Sequence, residues 1–224
     1  MNWFTNFFSS TIGRKLVMAL TGLFLILFLV VHLIGNLQLL KSDDGQSFNV
    51  YAQFMTSNPL IKVISYVNYA FILIHVIWSI MLTRRNRGAR GPEGYAVSRN
   101  SSHWTSRNMG ILGTFIFIFL VIHLRSFWYE MHWGGIPTAT YEGAEYKNLY
   151  AVVDAAYANI WFVVLYVVSM ALLAFHLFHG FGSAFQTLGL NHIKYNPLIK
   201  FVGVAFAVIV PALFALIPLY MYFN

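Results

Sequence analysis

Five apolar stretches, each long enough to cross a lipid bilayer, leave this chain few ways to fold. They run approximately 14–40, 60–83, 108–130, 157–188 and 197–223. A hydrocarbon core about 30 Å thick needs about 20 helical residues, and lipid offers no partner for an unpaired backbone group. The expected fold is therefore an all-α integral membrane protein with five transmembrane helices. Composition agrees: 58% of the 224 residues are apolar and only 9% charged, against about 25% charged in soluble domains. Asn58-Pro59, Gly134-Gly135-Ile136-Pro137 and Asn196-Pro197 punctuate the segments, and Pro211 and Pro218 predict kinks in the fifth rather than breaks. With no repeat and no low-complexity linker, residues 1–224 read as a single transmembrane domain. The apolar run after Lys15 exceeds the roughly 7 to 15 residues of a signal-peptide core, so no cleavage is expected.

The net charge of +7 sets topology. With a cytoplasmic N-terminus, the inner connections hold Arg14, Lys15, Arg84, Arg85, Arg87, Arg90, Arg99, Arg107, Lys194 and Lys200, leaving Lys41, Lys62, Arg125 and Lys147 outside. Asp43, Asp44, Glu130, Glu142, Glu145 and Asp154 also fall outside, and only Glu93 inside. Positive-inside bias then places the N-terminus inside and the C-terminus outside a bacterial inner membrane. Trp3, Phe4, Phe7 and Phe8 are expected in the inner headgroup region. No basic stripe with interleaved stacking residues is present, so nucleic acid is not the expected partner.

Four of the eight histidines lie inside separate apolar segments, where an ionisable side chain is expensive and calls for a partner. His32 follows Lys15 by 17 residues and His123 follows Arg107 by 16, each about 25 Å from the inner charges. His75 precedes Arg84 by 9 residues and His176 precedes Gln186 by 10, about 14 to 15 Å from the inner polar end. The expectation is an outer pair, His32 with His123, and an inner pair, His75 with His176.

Two neutral imidazoles do not close a tetrahedral zinc site, and no Cys, Asp or Glu lies at those depths. Haem iron needs only two axial ligands, so the chemistry that fits is two bis-histidine haems b in a four-helix bundle. The absence of cysteine rules out disulfides, thioether haem attachment and iron-sulfur ligation within the chain. Gly35, three residues after His32, and Gly180, four after His176, are expected to leave room for a macrocycle. The alternative for any one histidine is a hydrogen bond to a Ser, Thr or carbonyl between helices. His179 competes with His176 on an overlapping face. His103, His132 and His192 lie in polar connections, although His132 could exchange protons at the outer surface. Candidate cations for haem carboxylates are Arg14, Lys15, Arg84, Arg85 and Lys194 inside, and Lys41, Lys62 and Arg125 outside. Candidate quinone contacts are Asn36, Gln38, Asn49 and Gln53.

These residues resemble a known family, the di-haem cytochrome b anchor of succinate:quinone oxidoreductase (succinate dehydrogenase and fumarate reductase). The likeness spans nearly the whole chain: Ser10-Thr11-Ile12-Gly13-Arg14-Lys15, Thr21-Gly22 and His32-Leu33-Ile34-Gly35-Asn36, then His176-Leu177-Phe178-His179-Gly180 and Ser183-Ala184-Phe185-Gln186-Thr187-Leu188-Gly189. It implies a flavoprotein subunit and an iron-sulfur subunit docked on the cytoplasmic face, with succinate chemistry there and not in this chain. It also implies electron flow from the iron-sulfur subunit through the inner and then the outer haem to a quinone, menaquinone being the expected one. The basic loop from Arg84 to Arg107 would form part of the docking surface. Some members carry a glutamate two residues before the fourth-helix ligand, where this chain has Ala174, and another early in the second helix, where none lies between residues 44 and 92. A glutamate-dependent proton route is thus not expected. A di-haem anchor of a hydrogenase or formate dehydrogenase, or a haem-free transporter lined by histidine, are the competing expectations.

Overall fold

The structure, a computed structural model, describes residues 2–90 and 104–224. A short helix α1 (Trp3–Ser9) leads into α2 (Thr11–Asn36), whose start is fixed by the Ser10 hydroxyl accepting from the Gly13 amide at 2.9 Å. A 3-10 turn (Leu37–Leu40) ends this first span. Helix α3 (Gln46–Ser57) follows, and then α4 (Pro59–Arg90). Asn58 caps α4 by accepting from the Leu60 amide at 3.0 Å. Burial alone would raise the Asp43 carboxyl, but hydrogen bonds from Ser47 and the charge of Lys41 hold it below the usual carboxylate range.

The third span is α5 (Trp104–His123), a π-helical turn (Leu124–Trp128) and α6 (Tyr129–Trp133). Strands β1 (Thr138–Tyr141) and β2 (Ala144–Lys147) form an antiparallel hairpin. Its tip places Glu142 and Gly143 at φ of 51° and 81°, the paired positive values that suit a tight two-residue turn. Helices α7 (Leu149–Tyr157), α8 (Ile160–Thr187) and α9 (Asn196–Phe223) complete the chain.

Among the described residues, five helices are long and apolar enough to span a membrane, as expected. Helix α2 packs on α4 and α8, and α5 packs on α8 and α4, so these four close a ring. Helix α9 lies outside it against α8 and α2, and stays helical through Pro211 and Pro218. Leu27 (66%), Phe115 (52%) and Phe201 (71%) remain exposed on the perimeter, an apolar belt that water would not tolerate but acyl chains would.

Three boundaries need correction. The 60–83 segment continues as helix to Arg90, because no proline interrupts before residue 92 and arginine propagates a helix well outside lipid. The 157–188 segment starts three residues later, at Ile160, because the Asn159 side chain accepts from the Trp161 amide at 2.9 Å. That cap starts α8 afresh after α7. The third span runs beyond 108–130 at both ends, from Trp104 to Trp133.

Beyond the end of the bundle nearest His32, α3, the hairpin and α7 form a lid pinned by Asn49, whose side chain is wholly buried. Its Nδ2 donates to the Tyr141 hydroxyl at 2.9 Å and to Asn148 Oδ1 at 3.0 Å, while its Oδ1 accepts from the Tyr150 amide at 2.9 Å. Leu39, Phe48, Phe127, Met131, Val153 and Ile217 form the apolar core beneath.

Candidate functional site

Within the four-helix ring, the apolar segments bring their histidines together in two pairs, one above the other. The His32 and His123 rings lie 5.7 Å apart, perpendicular to each other. The His75 and His176 rings lie 6.4 Å apart at 62°. These are the pairings expected from depth, and on α8 the ring of His176 stands at this distance from His75.

The spacing between the two levels can be read from three helices. Helix α2 contacts the lower pair at Thr21 and supplies His32 to the upper, 11 residues away. Helix α5 contacts His176 at Gly113 and supplies His123, 10 residues away. Helix α8 contacts His123 at Tyr166 and supplies His176, again 10 residues away. At 1.5 Å per residue each gives about 15 to 17 Å between levels.

Around His32, Phe28 stacks at 5.2 Å and 17°, and Phe214 approaches to 5.7 Å. Asn36 donates to the His32 carbonyl at 2.8 Å and lies 3.4 Å from both ring nitrogens. His123 sits between Phe119 and Phe127, with Nδ1 3.0 Å from the Tyr166 hydroxyl. His75 Nδ1 lies 3.2 Å from Thr21 Oγ1. A Cβ on Gly22 would stand 3.4 Å from His75 Cε1, and one on Gly113 would stand 3.8 Å from His176 Cε1. Thr21, Gly22, Gly113 and Tyr166 are site residues that depth reasoning did not find. Thr21-Gly22 was visible only as part of a resemblance, and nothing in the one-dimensional pattern points Tyr166 at His123.

The donor set can be tested for fit. A metal–imidazole bond is about 2 Å and a ring nitrogen lies about 1 Å from the ring centre, so two imidazoles across one ion have centroids about 6 Å apart. Both pairs meet that spacing. Among the described residues no group of three or more His, Asp or Glu comes together, so neither pair completes a tetrahedral protein site. An ion whose remaining ligands come from a macrocycle fits better. His176 Nδ1 is buried without a hydrogen-bond partner, a costly state that a bound group would relieve. Two imidazoles at this spacing, once at each level, are the donor set that a haem iron takes.

The glycines divide. A Cβ at Gly180 would meet nothing, consistent with room one turn from His176. Gly35 is corrected: the Tyr51 ring fills the space beside it, so its smallness serves helix α3 and not a macrocycle. Asn49 is likewise corrected as a quinone candidate, because the lid uses its donors and acceptor. Asn36 belongs to the end of α2 and to His32, Gln38 Nε2 donates to the Ile34 carbonyl at 3.4 Å, and Gln53 is half-buried on α3.

Of the outer cations, Lys41 donates to Ser47 at 3.2 Å and Arg125 pairs with Glu130 while covering the Tyr129 ring. On the other side Arg14 donates to the Phe8 carbonyl at 3.3 Å. His132 is exposed, with Nδ1 2.8 Å from the Trp128 carbonyl. Arg84, Arg85 and Arg87 lie on the last turns of α4 and Arg107 on the first turn of α5, at one end of the bundle. Glu93, Arg99, Ser101 and His103 lie outside the described residues. Comparison with family models, curated proteins and solved structures gives no match to this chain.

Proposed function

We propose that this chain is the two-haem cytochrome b anchor of a succinate:quinone oxidoreductase, joining an iron-sulfur partner to a membrane quinone. The observation that carries it is the spacing of two separate histidine pairs, 5.7 and 6.4 Å between ring centroids, at two depths of one bundle. Haem, when bound, would supply a one-electron iron couple at each level.

The chain's own part is to hold, orient and seclude. His32 with His123, and His75 with His176, would hold the iron at each level and keep water and other small ligands from it. Phe28, Phe119 and Phe127 wall the upper pair with apolar surface. The arginine-rich end formed by α4 and α5 is the proposed cytoplasmic face, where iron-sulfur and flavoprotein subunits would dock nearest His75 and His176. Quinone, with menaquinone as the expected one, would react toward the opposite face. The resemblance in sequence supports succinate as the ultimate reductant, and the two histidine levels support electron transfer as the chain's task.

Purification of the complex in mild detergent tests the assignment. The expected preparation contains a flavoprotein and an iron-sulfur protein, and reduces a menaquinone analogue with succinate. A hydrogenase or formate dehydrogenase partner would refute succinate while leaving the haem anchor. A preparation without haem absorption would overturn the proposal.

A further inference from the structure

The pair Thr21-Gly22 lies on α2, away from every histidine in sequence, yet it contacts the ring of His75 on α4. Thr21 is buried, with 3% of its surface exposed. Its Oγ1 lies 2.8 Å from the Val17 carbonyl, 3.2 Å from the Met18 carbonyl and 3.2 Å from His75 Nδ1. A threonine hydroxyl has one proton, and a carbonyl can only accept. With the proton on the Val17 carbonyl, the nearest acceptor at 2.8 Å, the oxygen faces His75 Nδ1 as an acceptor. His75 must then carry its proton on Nδ1, which leaves the Nε2 lone pair free.

The other site histidines have no equivalent constraint. His176 Nδ1 is buried without a partner. Tyr166 contacts His123 through a hydroxyl that can either donate or accept. Asn36 Nδ2 approaches both nitrogens of His32 as a donor and is already held by a carbonyl. Gly22 lines the same ring, with His75 Cε1 3.4 Å from where a Cβ would stand, ordinary van der Waals contact.

We propose that Thr21, seated beside Gly22, is a positioning residue that fixes the tautomer and orientation of His75 for iron ligation and lowers the potential of the lower haem. This rests on the haem reading above. A ligating imidazole that donates its other N–H to an oxygen becomes more basic. More basic ligation favours ferric over ferrous iron, so loss of the acceptor raises the potential.

The test compares Thr21→Val, which keeps the shape, with Thr21→Ser, which keeps the oxygen. In the full chain with 15N-labelled histidine, produced without haem in detergent, wild type and Thr21→Ser should hold His75 as the Nδ1–H tautomer, and Thr21→Val should not. In the haem-loaded complex, Thr21→Val should shift the ferrous to ferric ratio at the lower site by about tenfold at fixed ambient potential, about 59 mV upward for one electron. Thr21→Ser should restore the wild-type value. Loss of the lower haem in Thr21→Val but not in Thr21→Ser also supports the hydrogen bond. An unchanged potential in Thr21→Val, loss of the haem in both variants, or an Nε2–H tautomer in the wild type would overturn it. If the wild-type chain takes up no haem, the NMR comparison still decides the role of Thr21 while the proposed function falls.

Discussion

At the scale of single residues, the arrangement turns on which nitrogen each histidine presents. His176 and His179 share an overlapping face of α8, and the structure sets His176 at 6.4 Å from His75. Replacing His176 by leucine should abolish the low-spin spectrum of the lower haem, whereas His179→Leu should retain it. Separate optical and EPR spectra of the two variants check this, and the reverse pattern would transfer the ligand role to His179. The four histidines were legible in the sequence because charge in lipid is conspicuous, and their depths were countable from flanking arginines and lysines. Thr21, Gly113 and Tyr166 were not legible as site residues. Small or aromatic side chains are ordinary in a membrane helix, and their partners lie tens of residues away. Gly35 shows the opposite failure: proximity to His32 in sequence suggested room for a macrocycle, and the Tyr51 ring occupies it.

At the scale of elements, apolar length located every span but not every boundary. Helix α7 is almost as apolar as α8 but too short to span a bilayer, so it was hidden from hydropathy, and the break after it is set by the Asn159 side-chain cap. The hairpin and α3 were also hidden, since each is short and their stability comes from long-range contacts. Asn49 illustrates this, with partners 92 to 101 residues away in sequence. Replacing Asn49 by alanine removes three hydrogen bonds and leaves the Tyr150 amide without its acceptor. The expected cost is about 2 to 3 kcal/mol, measured by reversible unfolding in detergent, with the absorption of the lower haem unchanged in the folded protein. A change within about 0.5 kcal/mol, typical of unconstrained surface sites, would remove Asn49 from its role as the pin. A π-helical turn directly follows His123. It turns Phe127 inward against the His123 ring at 5.6 Å, a use of bulged helix commonly seen beside functional groups.

At the scale of the whole molecule, antiparallel helices of nearly equal length carry histidine pairs at two depths. Because α2, α5 and α8 each touch both levels, their agreement on a separation of about 15 to 17 Å makes the two sites a property of the bundle. That organisation was legible in outline from charge bias and histidine depth. The ring order of the helices was not, since depth says nothing about which helix neighbours which. The most direct measurement of the central claim is the pyridine haemochrome content of the purified complex per mole of this chain. The account predicts two haems b, falling to one in His32→Ala and to one in His75→Ala, each substitution removing a different component of the reduced spectrum. A wild-type value of one or none, or loss of the same component in both variants, would contradict it.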